Sequence, residues 1–233
     1  MLVVVDRLLS PDSLLKVSSI LQRAKFIDGR VTAGDAAPAK NNLELELGEG
    51  YLKLVEIVDV AIRNSEPVER QLFPRYMTRP IINRYERGMF YREHIDAPIQ
   101  GLRTQFGRSM APYGQALVRA DFSMTLFLEE PANYDGGELV VDVMGEARPF
   151  KLAAGSAVFY PTGARHSVRP VLRGTRTAAI LWIQSMVRSS AERRLLMEAD
   201  ELCRVIARAM PGSAESFLAN DHYSNLLRQL ADV

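Results

Sequence analysis

The sequence predicts a mainly β chain with flanking helices, an α+β protein whose centre is a double-stranded β-helix, or jelly roll. Three observations carry this expectation. Between Pro80 and Val187 eight short β-prone runs follow one another, separated by Gly, Pro and Asn/Asp turns, with no long helical pattern among them. Apolar residues at helical spacing occur before and after this stretch but not within it. The length of 233 residues suits one large β-rich domain with helical additions and is short for two full domains. The expected division is an N-terminal support region of helix and strand over 1–77, the jelly-roll domain over 78–187, and a C-terminal helical extension over 188–233.

Taken in order, the β-branched run at residues 2–5 reads as a first strand. Ser10-Pro11 offers a helix cap followed by proline at the first helical position, and Leu14, Leu15, Ile20 and Leu21 supply an apolar stripe over 11–24. From Phe26 to Asn42 the text turns small, polar and Gly-rich, which predicts a loop or a pair of short strands. Lys40, Asn41 and Asn42 in it are open both to a solvated connection and to contact with substrate. Residues 50–64 carry Tyr51, Leu54, Val55, Val58 and Ile62 at helical spacing, a core stripe. Pro67, Pro74 and Pro80 then punctuate the approach to the strands.

The strand-rich region contains IINRYERG, MFYREHID, DFSMTLFLE, ELVVDV, ARPFKLA, GSAVFYP, HSVRPV and TRTAAILWIQSMV. Gly136-Gly137 reads as a hairpin turn, because no helix start follows to make it a phosphate loop. Residues 97–119, with two prolines and three glycines, read as a loop insertion. After the strands, Ser189-x-x-Glu192 is a capping-box signature ahead of Leu195, Leu196, Ala199, Leu202, Cys203 and Ile206. Met210-Pro211-Gly212 ends that helix. A second helix follows, with Phe217, Leu218, Leu226, Leu227 and Leu230 available to pack.

Composition narrows the function classes. With 47% hydrophobic and 24% charged residues the chain reads as an ordinary globular protein, and 29 basic against 28 acidic residues leave a formal charge of +1. Nothing in that balance suggests nucleic acid or an anionic membrane as a partner. The single cysteine, Cys203, excludes an internal disulfide and a thiolate metal cage and points to a reducing compartment. No secretory signal pattern and no membrane-length apolar run is present, so a cytoplasmic location is expected.

The chemistry concentrates on His94 and Asp96 in YREHID, His166 in PTGARHSV, and Arg176 in RGTRTAAILWIQ. On a strand over 90–96, positions i and i+2 face one side, so His94 and Asp96 converge. A later strand folding back brings His166 to the same spot. Two imidazoles and one carboxylate on one face of a metal leave coordination positions open, which suits non-haem Fe(II) working with O₂. Arg176 follows His166 by ten residues and opens an apolar, β-prone run. That run draws it inward, where a guanidinium needs an anion, and its planar fork matches a carboxylate.

The other residues read less sharply. Tyr85, on the strand before the metal strand, is equally a core tyrosine and a second donor to the same carboxylate. Trp182 and Phe127 read as sheet core. Asp121 reads as a strand-edge residue or an acceptor that fixes a ligand histidine. Arg169 and Arg173 read as surface arginines, and His222, on the last helix, has no role.

The order His-x-Asp, distal His, then Arg ten residues on resembles the 2-oxoglutarate- and Fe(II)-dependent oxygenases. NRYERGMFYREHID, DFSMTLFLEEPANYDGGELVV and LAAGSAVFYPTGARHSVRPVLRGTRTAAILWIQSMVR, with an early KNN, more narrowly resemble the bacterial PKHD-type hydroxylases. This similarity runs from FIDGRVTAG through the C-terminal helices. It implies Fe(II) held by His94, Asp96 and His166, and 2-oxoglutarate gripped through its distal carboxylate by Arg176. It also implies O₂ as co-substrate, L-ascorbate as a reductant of the iron, and hydroxylation of a small-molecule or peptidyl substrate, with iron or siderophore metabolism as an associated setting. A homo-oligomer is compatible with it. The alternative is a jelly-roll metal-binding or sensing protein without oxygenase turnover, which would need neither Arg176 nor O₂. Cupin-type proteins usually show a His-x-His pair that this chain lacks, and a zinc hydrolase would carry a His/Glu helix motif that is also missing.

Overall fold

The computed structural model of the chain describes residues 1–32, 39–101, 103–104, 107–108 and 117–233. The N-terminal half comprises β1 (Val3–Val5), α1 (Pro11–Arg23), β2 (Phe26–Asp28), β3 (Lys40–Asn41), β4 (Leu43–Leu45), α2 (Glu49–Arg63), α3 (Glu66–Leu72) and β5 (Pro74–Met77). There follow β6 (Ile81–Tyr85), β7 (Phe90–His94), β8 (Ile99–Gln100), β9 (Arg103–Thr104), β10 (Gly107–Arg108), β11 (Val118–Arg119), β12 (Phe122–Phe127) and β13 (Tyr134–Gly136). The chain continues through β14 (Leu139–Val143), β15 (Glu146–Phe150), β16 (Ala157–Pro161), β17 (His166–Val168), β18 (Val171–Gly174) and β19 (Arg176–Ser185), and ends with α4 (Ser190–Ala209) and α5 (Ala214–Leu230). These elements form two compact units, Met1–Ser65 with Tyr76–Gln184, and Glu66–Arg75 with Ser185–Val233.

The first unit holds the jelly roll. Its larger sheet runs in the order β1-β16-β12-β19-β6-β4-β2 and its smaller one β15-β14-β17-β7-β3. The ladders within both are antiparallel. The inner faces meet in a core where Phe127, Val158 and Tyr160 of the larger sheet pack on Leu139 and Val141 of the smaller. A second patch joins Tyr85 to Val168 and Val171. Strands buried on both faces explain why β12 and β19 read as continuous apolar runs: every residue of FSMTLF is buried.

The helices follow their caps. Ser10 Oγ accepts from Ser13 N–H with Pro11 behind it, and Val17 and Leu21 are buried, whereas Leu15, expected in the stripe, faces solvent. On α2 the stripe of Tyr51, Leu54, Val58 and Ile62 is buried as expected.

In the second unit, α3 corrects the reading of Pro67 as punctuation alone. Pro67 sits in the first turn, where its missing N–H costs nothing, and Val68 and Leu72 are buried. Ser189 Oγ caps α4 through Glu192 N–H. Phe73, Val187 and Leu196 form the core of this unit with Tyr223, Leu226, Leu227 and Leu230 around them. Arg70 of α3 pairs with Asp200 of α4. Phe217, Leu218, Leu195 and Leu202, expected to pack, are exposed. Among the described residues no helix is long and apolar enough to cross a membrane.

Two further expectations meet the structure differently. Gly136-Gly137 is not a hairpin turn, because β13 pairs with β18, and a register shift falls between Asp135 and Gly136. Both glycines have positive φ, 69° and 66°, so they bend the chain out of one ladder before β14 enters another. Of the loop expected over 97–119, residues 102, 105–106 and 109–116 lie outside the described residues. Its described parts make two short antiparallel pairs, β8 with β11 and β9 with β10. Much of the Ala-Ala-Pro-Ala tract within 26–42 also lies outside them.

Candidate active site

His94 ends β7 and His166 opens β17, and the two stand opposite each other in the antiparallel register. Their ring centroids are 4.2 Å apart. The strand expected over 90–96 stops at His94, so Asp96 arrives from the loop beyond rather than by strand alternation. It still reaches the same spot. Asp96 Oδ1 lies 3.6 Å from His94 Nε2, and Asp96 Oδ2 lies 3.6 Å from His166 Nε2.

The larger sheet holds that carboxylate in place. Ser123 of β12 and Trp182 of β19 are direct cross-strand partners, so their side chains leave the sheet on one face. The Ser123 hydroxyl donates to Asp96 Oδ2 at 2.8 Å, and the Trp182 indole N–H donates to the same oxygen at 2.9 Å. Ser123 Oγ is in turn 3.2 Å from the Thr162 hydroxyl. Trp182 is therefore sheet core with a polar task, a role its apolar neighbours in sequence concealed. Trp182→Phe keeps the bulk and removes the donor; it is expected to weaken metal binding about tenfold with the fold retained. Titration with Co(II), followed by its visible absorption, measures this, and an unchanged affinity would mean that Ser123 suffices.

The imidazoles are oriented by backbone. His94 Nδ1 lies 2.8 Å from the Arg92 carbonyl and His166 Nδ1 3.0 Å from that of Ala164. A carbonyl only accepts, so each Nδ1 carries the proton and each Nε2 presents a lone pair toward Asp96. Asp121, considered as the acceptor for a ligand histidine, instead accepts a paired contact from Arg119 at 2.8 and 2.9 Å. Burial would raise the Asp96 carboxyl, but the adjacent His94 and His166 rings and the Trp182 donor together hold it at about 2. Burial pushes His166 down despite the Asp96 charge. At neutral pH the site thus presents one carboxylate and a neutral buried imidazole.

These residues fit a divalent metal. One donor atom from each of His94, Asp96 and His166 lies within 4.8 Å of the others. Ligand atoms about 2.1 Å from one ion and at right angles stand about 3 Å apart, so the 3.6 Å separations ask for a small closure. Nitrogen and carboxylate donors without thiolate suit Fe(II) with open positions.

Arg176 begins β19 opposite Tyr85 of β6. It is fully buried, and among the described residues none of its three guanidinium nitrogens has a hydrogen-bond partner. The Tyr85 ring lies 5.3 Å and the Phe127 ring 5.5 Å from the guanidinium carbon. Arg176, Tyr85, His94, Asp96, His166 and Trp182 all line one cavity. The buried Tyr85 hydroxyl also lacks a hydrogen-bond partner among the described residues, and burial pushes its pKa up, so it stays a donor.

Tyr134, which the sequence did not single out, shares this situation. It is buried, its hydroxyl has no hydrogen-bond partner among the described residues, and burial raises its pKa against the opposing effect of the Arg176 charge. Gly137 makes the room. A Cβ there would stand 3.2 Å from Arg176 Cδ and 3.3 Å from Tyr134 Cδ2, at a φ of +66°. Gly137→Ala is expected to cost about 1 kcal/mol or more of stability from the backbone alone and, on the carboxylate seat that the family resemblance implies at Arg176, to raise the 2-oxoglutarate requirement by displacing that side chain. Thermal melting and co-substrate titration measure the two effects separately.

The remaining candidates divide. Lys40 is buried in an ion pair and lines the cavity; Asn42 is buried while Asn41 is exposed. His222 lies exposed on α5. Arg173 pairs on the surface with Asp135.

Comparison with known proteins agrees with this chemistry. Residues 80–184 match the 2OG-Fe(II) oxygenase superfamily model. The chain is 39% identical to a PKHD-type hydroxylase of Xanthomonas campestris pv. campestris and 38% identical to one of Caulobacter vibrioides, each over the full length of both chains. Among solved structures, a Pseudomonas putida prolyl-4-hydroxylase superposes with a TM-score of 0.52 at 19% identity, covering 81% of this chain and 93% of that one. A viral collagen prolyl hydroxylase from Paramecium bursaria Chlorella virus 1 gives 0.53 at 16%, covering 79% and 96%. These likenesses share the jelly-roll fold. The chain belongs to the 2OG-Fe(II) oxygenase superfamily and is an Fe(II)- and 2-oxoglutarate-dependent dioxygenase. Within that superfamily its full-length relatives are the PKHD-type hydroxylases.

Proposed function

We propose that His94, Asp96 and His166 hold Fe(II), and that Arg176, with the Tyr85 and Tyr134 hydroxyls, receives the distal carboxylate of 2-oxoglutarate. One observation carries this reading: Arg176, whose three buried guanidinium nitrogens have no hydrogen-bond partner among the described residues, lines the same cavity as the triad. A guanidinium in that state calls for an anion, and a dicarboxylic acid reaching from the metal supplies one. When bound, Fe(II) and 2-oxoglutarate supply an oxidant from O₂, and the net reaction converts C–H, 2-oxoglutarate and O₂ into C–OH, succinate and CO₂.

The chain's own share is positioning. Ser123 and Trp182 fix Asp96, the Arg92 and Ala164 carbonyls fix the imidazoles, and the apolar walls Ile81, Leu139 and Val168 keep water from the reacting atoms. The substrate is a small molecule or a peptidyl side chain, and the hydroxylase names of the relatives support a C–H as its target. Ascorbate belongs to the same reading as the reductant that returns stray Fe(III) to Fe(II). The near-zero net charge supports a partner other than nucleic acid, and the lone cysteine supports a reducing, cytoplasmic setting.

Succinate formation by the anaerobically iron-loaded protein, on addition of O₂ and 2-oxoglutarate, tests the proposal. Turnover without a primary substrate is expected to be slow but dependent on both. Iron-loaded protein that shows neither succinate nor a spectral change on adding 2-oxoglutarate would instead be a metal-binding module.

A further inference from the structure

The mechanism leaves one buried polar group of the cavity unused. Asn83, on β6, is 2% exposed and lines the cavity, and its Oδ1 has no hydrogen-bond partner among the described residues. Its place follows from register. It lies two residues before Tyr85 on the same strand, so both side chains leave the sheet on one face. Across the ladder Tyr85 stands opposite Arg176, and Asn83 stands opposite Ala178. Asn83 and Arg176 are therefore diagonal neighbours on the inner face, about 7–8 Å apart at Cα, a span that a long side chain bridges. Ala178 has no polar side-chain atom to offer the carboxamide, and Glu44, opposite Asn83 on β4, is hydrogen-bonded to Lys40.

The direction along the sheet matters as well. One face of β19 carries Arg176, Ala178, Ile180 and Trp182, and Trp182 holds Asp96 of the triad. Asn83, level with Ala178, thus stands one step from Arg176 toward the metal. Arg176, Tyr85 and Asn83 each have a buried polar atom without a hydrogen-bond partner among the described residues, and they do not bond to one another. A small anion among them joins all three. A guanidinium has five N–H donors and a paired contact with a carboxylate uses two, while a carboxamide brings two donors and an acceptor in one plane. We propose that Asn83 is a further co-substrate-binding residue: its amide donates to the distal carboxylate from the metal side, and its Oδ1 accepts an Arg176 N–H that the paired contact leaves over. This rests on the assignment of 2-oxoglutarate to Arg176.

The test is ligand binding to the anaerobic Fe(II) protein, read by charge-transfer absorption and by the fluorescence of Trp182, the sole tryptophan, which lines the cavity. Two ligands are compared: 2-oxoglutarate, and 2-oxopentanoate, which carries a methyl group in place of the distal carboxylate. Asn83→Ala is expected to weaken 2-oxoglutarate about tenfold, the scale of one hydrogen bond to a charged group, and to leave 2-oxopentanoate unchanged. Asn83→Asp, nearly the same shape, is expected to weaken 2-oxoglutarate further than alanine does, because its charge faces the carboxylate and competes for Arg176. A merely structural role would make aspartate the milder change and would move both ligands together. Wild-type binding of 2-oxoglutarate by folded Asn83→Ala, or an equal loss of both ligands, overturns the proposal. Should the alanine variant fail to fold, the aspartate variant decides on the same terms: it must weaken 2-oxoglutarate and spare 2-oxopentanoate, and any other pattern overturns the proposal. Arg176→Ala, measured alongside, separates the two ideas. If it binds 2-oxoglutarate as the wild type does, the Arg176 assignment fails; if it loses binding while Asn83→Ala has no effect, only the role of Asn83 fails.

Discussion

Asp96→Ala is expected to lose Fe(II) binding by at least about a hundredfold and to abolish succinate formation. Asp96 is the one anionic group of the triad, so its loss removes both a ligand and the charge that offsets the metal. It is also the acceptor for Ser123 and Trp182. With the carboxylate gone, the Trp182 N–H loses its acceptor, at a cost of about 1–3 kcal/mol for a group left unsatisfied, while Ser123 keeps the Thr162 hydroxyl. The variant should therefore melt lower than the wild type even without metal. Asp96→Asn separates these effects: it keeps an acceptor oxygen for Ser123 and Trp182, so it recovers stability while metal binding stays lost. Iron stoichiometry by metal analysis, turnover by succinate assay, and apo-protein melting measure the three quantities. Normal iron content and activity in Asp96→Ala would remove Asp96 from the metal site and with it the triad.

The triad was legible because its chemistry is compressed into few residue types. Only three histidines exist, and two sit at the ends of β-prone runs, where antiparallel pairing brings them opposite each other. Arg176 was legible from the apolar run that follows it and forces it inward. What the sequence concealed depends on which strands become neighbours. Trp182 reads as core until β12 is known to pair with β19, which sets it beside Ser123 and aims both at Asp96. Tyr134 is invisible for the same reason, since its place beside Arg176 needs Gly136 and Gly137 to turn β13 away from β14 and onto β18. The Lys40–Glu44 spacing of four suggests a helical pair, yet the two residues lie on short strands of different sheets. Helix α3 was hidden by Pro67, a residue that breaks a helix interior but is tolerated in a first turn.

Arg176→Ala is expected to raise the 2-oxoglutarate requirement at least about a hundredfold, on the scale of a lost charge-assisted, paired contact. Metal binding should persist, because Arg176 touches none of His94, Asp96 or His166 in the hydrogen-bond and ion-pair network. The effect on the fold has an unusual sign. Arg176 is fully buried without a hydrogen-bond partner among the described residues, so in the absence of co-substrate its charge opposes folding. Removing it leaves a cavity but relieves that cost, and the apo variant should melt close to the wild type. Adding 2-oxoglutarate and a redox-inert divalent metal should then stabilise the wild type and leave Arg176→Ala unmoved, since only a ligand that binds the native state raises its melting point. Arg176→Lys provides the finer measurement. An ammonium restores the charge but not the planar fork, so it should recover part of the affinity and remain weaker than arginine. If Arg176→Ala kept the wild-type 2-oxoglutarate requirement and the ligand-induced shift in melting, the distal carboxylate would lie elsewhere in the cavity, and Lys40 would be the next cation to test.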